Sequence, residues 1–119
     1  FLPLENNEKF NGERKADYFF KNLSVGEKNE MIKRDPSYGK IVCRCEQITE
    51  GEILRAIREN PPACDIDGVK RRTRAGMGRC QGGFCQPHVA ELIAKERGIP
   101  LDFVTKCGGD SYLLSGVTK

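Results

Sequence analysis

Apolar side chains recur at helical spacing in two stretches of the chain and thin out elsewhere. Ile53, Leu54 and Ile57 form one stripe, with Arg55, Arg58 and Glu59 on its polar side. Val89, Leu92 and Ile93 form the second. The first stripe has clear limits. Thr49-x-x-Glu52 is a capping box, Ile48 and Ile53 hold the two positions of a hydrophobic staple, and Asn60-Pro61-Pro62 stops the helix. The second has Pro87 in its first turn, Gly98 at its end and Pro100 beyond. An earlier capping box, Ser24-x-x-Glu27, predicts a short helix over about 25–34. Asp35-Pro36 ends it, because the residue before proline disfavours the α region. Ser37-Tyr38-Gly39 then reads as a turn and Lys40-Ile41-Val42-Cys43 as extended chain. Asp67 is expected to cap a short basic helix through Val69 to about Arg74, broken by Gly76-Met77-Gly78. After Leu101 the pattern changes, and 102–106 is expected to pair with 111–117 as a hairpin around Gly108-Gly109.

Composition narrows the class. A chain of 119 residues fits one small domain with an added arm and buries only about 65% of its unfolded surface. It has no run of about 18 apolar residues, so no membrane span is expected. The start, Phe1-Leu2-Pro3-Leu4-Glu5, has neither a charged n-region nor an apolar h-region and no Met. The expectation is a piece of a longer polypeptide, cytoplasmic, with its cysteines reduced. Residues 1–22 are polar with scattered aromatics (Phe1, Phe10, Tyr18, Phe19, Phe20) and read as an arm. Residues 1–39 carry seven basic and seven acidic side chains, so the net charge of +3 lies entirely from Lys40 onward. That charge is too small to demand nucleic acid. Five of the ten residues from 70 to 79 are basic, but no aromatics are interleaved, and no nucleic-acid partner is expected.

Six cysteines carry the chemistry. Cys43-x-Cys45 and Cys80-x4-Cys85 are close pairs separated by 34 residues, and each pair lies in a loop followed by a helix. Two such loops can bring four thiolates to one point. Four thiolates suit a [2Fe–2S] cluster and also a structural zinc ion, and spacing leaves both open; one C-x-C pair is unusual for zinc. An oxidised tetrathiolate cluster carries roughly two negative charges. The sequence offers N–H groups at the starts of the helices after Thr49 and near Pro87, glycine backbone at Gly78, Gly82 and Gly83, and the cations Arg44, Arg79 and Lys70 to Arg74. Cys64 and Cys107 sit outside the pairs and read as spare thiols. His88, the one histidine, reads as a helix-surface or supporting residue, and Met77 as packing. No G-x-G-x-x-G follows a strand and no nucleophile–base pair is evident, so this chain alone is not expected to catalyse a reaction.

Three stretches carry a resemblance. Ile41-Val42-Cys43-Arg44-Cys45-Glu46, the segment from Asp67-Gly68-Val69 to Ala75-Gly76-Met77-Gly78, and Arg79-Cys80-Gln81-Gly82-Gly83-Phe84-Cys85 resemble the bacterioferritin-associated-ferredoxin-like [2Fe–2S] domain. The x4 spacing of the second pair is similar to the version at the C-terminus of FAD-dependent dehydrogenases of the glycerol-3-phosphate type. The resemblance implies a mostly α, small helical [2Fe–2S]-binding domain with ligands on loops preceding helices. It implies Cys43, Cys45, Cys80 and Cys85 as those ligands. It also implies a division into a connector from an upstream flavin domain (1–37), the cluster domain (38–100) and a tail (101–119). The implied partners are FAD in the parent chain and a further electron donor or acceptor, a protein or a quinone. Zinc in place of the cluster is the alternative, including in aerobically prepared protein.

Overall fold

The computed structural model describes residues 8–10, 12 and 19–116. Phe1 and Tyr18 of the expected arm and Val117 of the expected hairpin lie outside them. The fold is a small helical domain: four α-helices and one short antiparallel pair of strands among the described residues.

Both capping boxes form. At α1 (Val25–Arg34) the Glu27 N–H donates to Ser24 Oγ, and the Glu27 carboxylate accepts from the Ser24 N–H. Asp35 closes α1 through its N–H to the Met31 carbonyl, and its carboxylate then caps a 3-10 turn, Pro36–Gly39, by accepting from the Ser37 N–H at 3.0 Å. Strand β1 (Ile41–Cys43) pairs with β2 (Ile48–Thr49), Ile41 opposite Thr49 and Cys43 opposite Ile48. Helix α2 (Glu50–Arg58) leaves β2 directly from its cap, Thr49.

The second capping box is buried and has an added duty. Glu52 is 3% exposed. One carboxylate oxygen accepts from the N–H and hydroxyl of Thr49, both at 2.8 Å, and the other accepts from the Phe20 N–H at 2.9 Å. A buried charge needs donors of this kind, and here one of them is supplied by the N-terminal arm. The arm's 3-10 turn, Phe20–Asn22, is thereby held against α2. The Phe20 ring lies 5.9 Å from that of Tyr38, and Phe19 packs on the core. Tyr38 in turn lies over Gly51 in the first turn of α2, where any Cβ would strike its ring.

Helix α3 (Ile66–Thr73) begins earlier than expected. Asp65, not Asp67, is its cap, accepting from the Gly68 N–H at 2.6 Å. It ends at Arg74 in the left-handed region (φ 69°), before the glycine run is reached. Helix α4 (Gln86–Arg97) ends at Gly98 with φ 63°. Ile48, Ile53, Val69, Ile93 and Val104 are fully enclosed among α2, α3, α4 and the tail.

The expected hairpin is reduced to one bridge, Thr105 with Tyr112. The Lys106 N–H donates to the Ser111 carbonyl at 2.7 Å, and the Leu113 N–H to the Val104 carbonyl at 3.3 Å. The physical reason is a competing use of the same backbone. The carbonyls of Thr105 and Lys106 accept from the N–H groups of Ile66 and Asp67 at 3.2 and 2.8 Å. These are the orphan donors at the start of α3, so residues 104–106 follow α3 instead of extending a ladder.

Candidate metal centre

Each cysteine of the two pairs is placed by a different local device. Cys43 is the last residue of β1 and is 1% exposed, its side chain on the core face of the strand. Cys45, two residues on, stands exposed in the turn that joins β1 to β2. Cys80 lies in the glycine-rich loop between α3 and α4 and is partly exposed. Cys85 is the residue preceding α4 and is 3% exposed.

Contacts between the loops bring these positions together. Gly78 lies directly beneath Cys45; a Cβ at residue 78 would collide with Cys45 Cβ. Arg74 Nε donates to Glu46 Oε2 at 2.9 Å, and Lys21 Nζ donates to the Glu46 carbonyl at 3.4 Å. The Gln81 side-chain amide donates to the Met77 and Gly78 carbonyls at 3.2 and 3.0 Å, which closes the second loop on itself. Among the described residues, the non-glycine positions with positive φ are Gln47 (56°), Arg74 (69°) and Gln81 (50°). All three lie in the two loops or at their entrance. Each such residue costs on the order of 1–2 kcal/mol, so backbone strain is gathered where the cysteines are presented.

The four thiols line one open cleft of about 650 Å³, together with Lys40, Arg44, Phe84 and His88 among others. Cys45 Sγ and Cys80 Sγ are 3.5 Å apart. Of the other thiols Cys43 acts on Cys85 most strongly, ahead of Cys80. The contacts therefore cross between loops, one cysteine of each loop in each pair. Two thiolates on one tetrahedral metal stand roughly 3.8 Å apart at a metal–sulfur distance of about 2.3 Å. The Cys45–Cys80 separation fits that edge. Among the described residues no three His, Cys, Asp or Glu side chains are grouped tightly enough to hold a single ion; the sulfurs are disposed as two pairs along the cleft.

Environment separates the pairs. Hydrogen bonding from Cys45, then from the backbone of Gly82, Phe84 and Gly83, lowers the Cys80 thiol below its ordinary value. Burial, with the negative charge of Cys43 and Cys80 nearby, pushes Cys85 up to about 11. Of the glycines expected to donate N–H groups, Gly82 and Gly83 contribute to the lowered Cys80 thiol, the Gly83 N–H donating to the Cys80 carbonyl at 3.1 Å, whereas Gly78 provides room. Helix α4 starts at Gln86, directly after Cys85. At the start of α2 the Glu50 N–H donates to the Lys40 carbonyl and the Glu52 N–H to Thr49 Oγ1, so neither is directed at sulfur. Arg44 lines the cleft, but the basic run of α3 points elsewhere: Arg72 donates to the Ala56 carbonyl and Arg74 to Glu46. His88 sits on the rim between Glu50 and Glu91, 3.4 Å from each carboxylate. Cys64 and Cys107 are exposed and away from the cleft; their sulfurs lie near the Pro62 carbonyl and Ser111 Oγ. The Arg74–Glu46 tie and the Gln81 clasp are not legible in the sequence, because nothing in either residue's neighbourhood marks its partner. The Gly76-Met77-Gly78 run is a usable signal, since a glycine beside a cysteine loop marks close approach as well as a helix break.

A small helical unit that presents four thiols from two loops to an open cleft has the donor set of a tetrathiolate metal site. Residues 41–95 of the chain match the family model of the BFD-like [2Fe-2S] binding domain. The chain is 53% identical over 116 residues to a glycerol 3-phosphate dehydrogenase of Caloramator mitchellensis, covering 98% of this chain and 24% of that protein. It is 45% identical over 58 residues to the hydrogen cyanide synthase component HcnB of Pseudomonas aeruginosa, 49% of this chain and 12% of that one. It is 42% identical over 55 residues to a component of the anaerobic glycerol-3-phosphate dehydrogenase of Escherichia coli strain K12, 46% of this chain and 10% of that one. The chain thus spans a quarter or less of the length of these relatives. No solved structure matches it. No helix among the described residues is long and apolar enough to cross a membrane.

Proposed function

We propose that Cys43, Cys45, Cys80 and Cys85 hold a [2Fe–2S] cluster through which this chain passes electrons for a larger FAD-dependent dehydrogenase. The observation that carries the reading is the meeting of four thiols, two from each loop, on one cleft, with Cys45 and Cys80 in contact across the loops. A bound cluster supplies one-electron transfer without making or breaking a substrate bond. The protein's part is to hold the sulfurs and temper their charge. The Gly82, Gly83 and Phe84 N–H groups offer hydrogen bonds to Cys80, and Lys40 and Arg44 place positive charge on the cleft wall. The mouth is open, with the Phe84 ring 88% exposed on its rim, so an electron partner can come close to Cys45 and Cys80.

The relatives support a wider assignment of the same kind. Two proteins named as glycerol-3-phosphate dehydrogenases are among them, and one of these matches nearly the whole chain. The proposed parent therefore oxidises glycerol 3-phosphate, its reduced flavin feeding this domain, with residues 1–37 as the connector, 38–100 as the cluster unit and 101–119 as the tail. The acceptor beyond it is a protein or a quinone.

The test is anaerobic reconstitution of the chain with iron and sulfide. The expected product is red-brown, with about two iron and two sulfide per chain. Cys64→Ser and Cys107→Ser should leave its visible absorbance unchanged, and Cys80→Ser should lose or alter it. Colourless protein that keeps one zinc and takes up no cluster would overturn the reading.

A further inference from the structure

The two thiol pairs differ in every property that decides where negative charge can settle. Cys43 and Cys85 are 1% and 3% exposed and lie against the apolar core. Cys45 is exposed and Cys80 partly so. Hydrogen bonding from Cys45, then from the backbone of Gly82 and Phe84, lowers the Cys80 thiol, the Gly83 N–H donates to the Cys80 carbonyl at 3.1 Å, and Lys40 and Arg44 line the wall of the same cleft. The inner pair shares that cleft, and Cys85 has its own backbone N–H at the start of α4, but burial raises its thiol where hydrogen bonding lowers that of Cys80. Its neighbours in the core are apolar side chains such as Ile48 and Val89.

From this asymmetry we infer that one iron of the bound cluster is shared by Cys45 and Cys80, the other by Cys43 and Cys85, and that the added electron resides on the outer, Cys45/Cys80 iron. The inference rests on the reading that the cleft holds a [2Fe–2S] cluster. The pairing follows from contact: sulfurs that share a tetrahedral metal must be neighbours, and the neighbouring sulfurs come from different loops, Cys45 with Cys80 at 3.5 Å and Cys43 with Cys85. Pairing within each loop would require the loops to separate contacts they now make. The location of the electron follows from electrostatics. Reduction adds one negative charge and no bond changes. Charge is least costly where water and N–H dipoles already point at the sulfur, and most costly in an apolar interior. The reductant is a one-electron donor: reduced flavin in the proposed parent, dithionite in the experiment.

The experiment uses the reconstituted full chain, poised by one-electron reduction and followed by electron paramagnetic resonance and potentiometry. Serine oxygen is a harder donor than thiolate and favours the ferric state, so it lowers the potential most when it replaces a ligand of the iron that is reduced. Cys45→Ser and Cys80→Ser should each weaken electron uptake at least tenfold, about 59 mV for a one-electron couple, with matching changes in the resonance spectrum. Cys43→Ser and Cys85→Ser should shift it less. A larger fall from either inner substitution overturns the location, and spectra that match within a loop instead of across loops overturn the pairing. Because serine variants can fail to hold a cluster, proton NMR of the reduced wild-type chain supplies a second measurement. Cysteine β-protons with Overhauser contacts to the Gly82 to Phe84 backbone should show the temperature dependence of ferrous ligands; finding it instead on protons contacting Ile48 and Val89 overturns the inference. A chain that takes up no iron and sulfide overturns the functional reading and this inference together, whereas a loaded chain with an inner ferrous site overturns this inference alone.

Discussion

Gly78 shows how a single missing carbon shapes the centre. Its Cα lies so close under Cys45 that an added methyl has no room, and the obstructing atom is the Cβ that aims the thiol. Gly78→Ala must therefore push the first cysteine turn off the second loop. The expected result is loss of most iron uptake with helix content unchanged, measured by iron analysis and circular dichroism. Gly26→Ala, which has open space on α1, should leave iron content as it was. At this scale the sequence is uneven as a guide. Ser24 with Glu27, and Thr49 with Glu52, are three residues apart, so their hydrogen bonds can be read directly. Asp65 does not stand out as a cap because its partner, Gly68, has no side chain to mark the reciprocal half of a capping box. Which sulfur touches which is not legible, because each contact spans 35 residues or more and depends on how two loops pack.

The helices α1, α2 and α4 are legible because their ends are marked by side chains that act locally: a capping hydroxyl, a proline in the first turn, a glycine after the last. The tail departs from its strand pattern because its backbone is recruited by α3, a tertiary demand that outweighs local strand preference. The two capping boxes invite a direct comparison. Thr49 is buried with its box, whereas Ser24 is at the surface. Removing a capping hydroxyl costs roughly 0.5–2 kcal/mol, and burial places Thr49 at the upper end, since the Glu52 carboxylate beneath it also loses a donor. Thr49→Ala should lower unfolding free energy by about 2 kcal/mol and Ser24→Ala by about 0.5 kcal/mol, as read from urea denaturation. Equal losses would mean that the buried carboxylate finds other donors.

At the scale of the molecule, segments far apart in sequence complete one another: the arm satisfies Glu52, and the tail satisfies α3. Lys106 adds an ion pair to the second of these joints, donating to Asp67 at 2.9 Å. The hydrogen bond from Lys106, reinforced by its charge, holds the Asp67 carboxyl below its ordinary value, and Asp67 in the same way raises Lys106. The sign of the pH dependence follows. The contribution from Asp67 is present above the usual carboxylate range, near pH 4, and is lost as acid protonates it in the folded state. The contribution from Lys106 is present below about pH 10 and is lost as alkali deprotonates it. Wild type should therefore exceed Lys106→Met in urea midpoint at pH 7, and the difference should vanish once acid has protonated Asp67 in the folded state. The pair is exposed, so the margin is small; a difference that persists in acid would assign it to packing of the lysine stem instead.

The carbonyls that Thr105 and Lys106 lend to α3 also impose an order on synthesis. Chains fold from the N-terminal end as they emerge from the ribosome, yet the first turn of α3 waits for residues some forty positions later. The loop that carries Cys80 follows α3 and gains a settled anchor only then. A nascent chain halted at Pro100 lacks these two acceptors, so its four cysteines are expected to be held less firmly than in a chain that has passed Lys106.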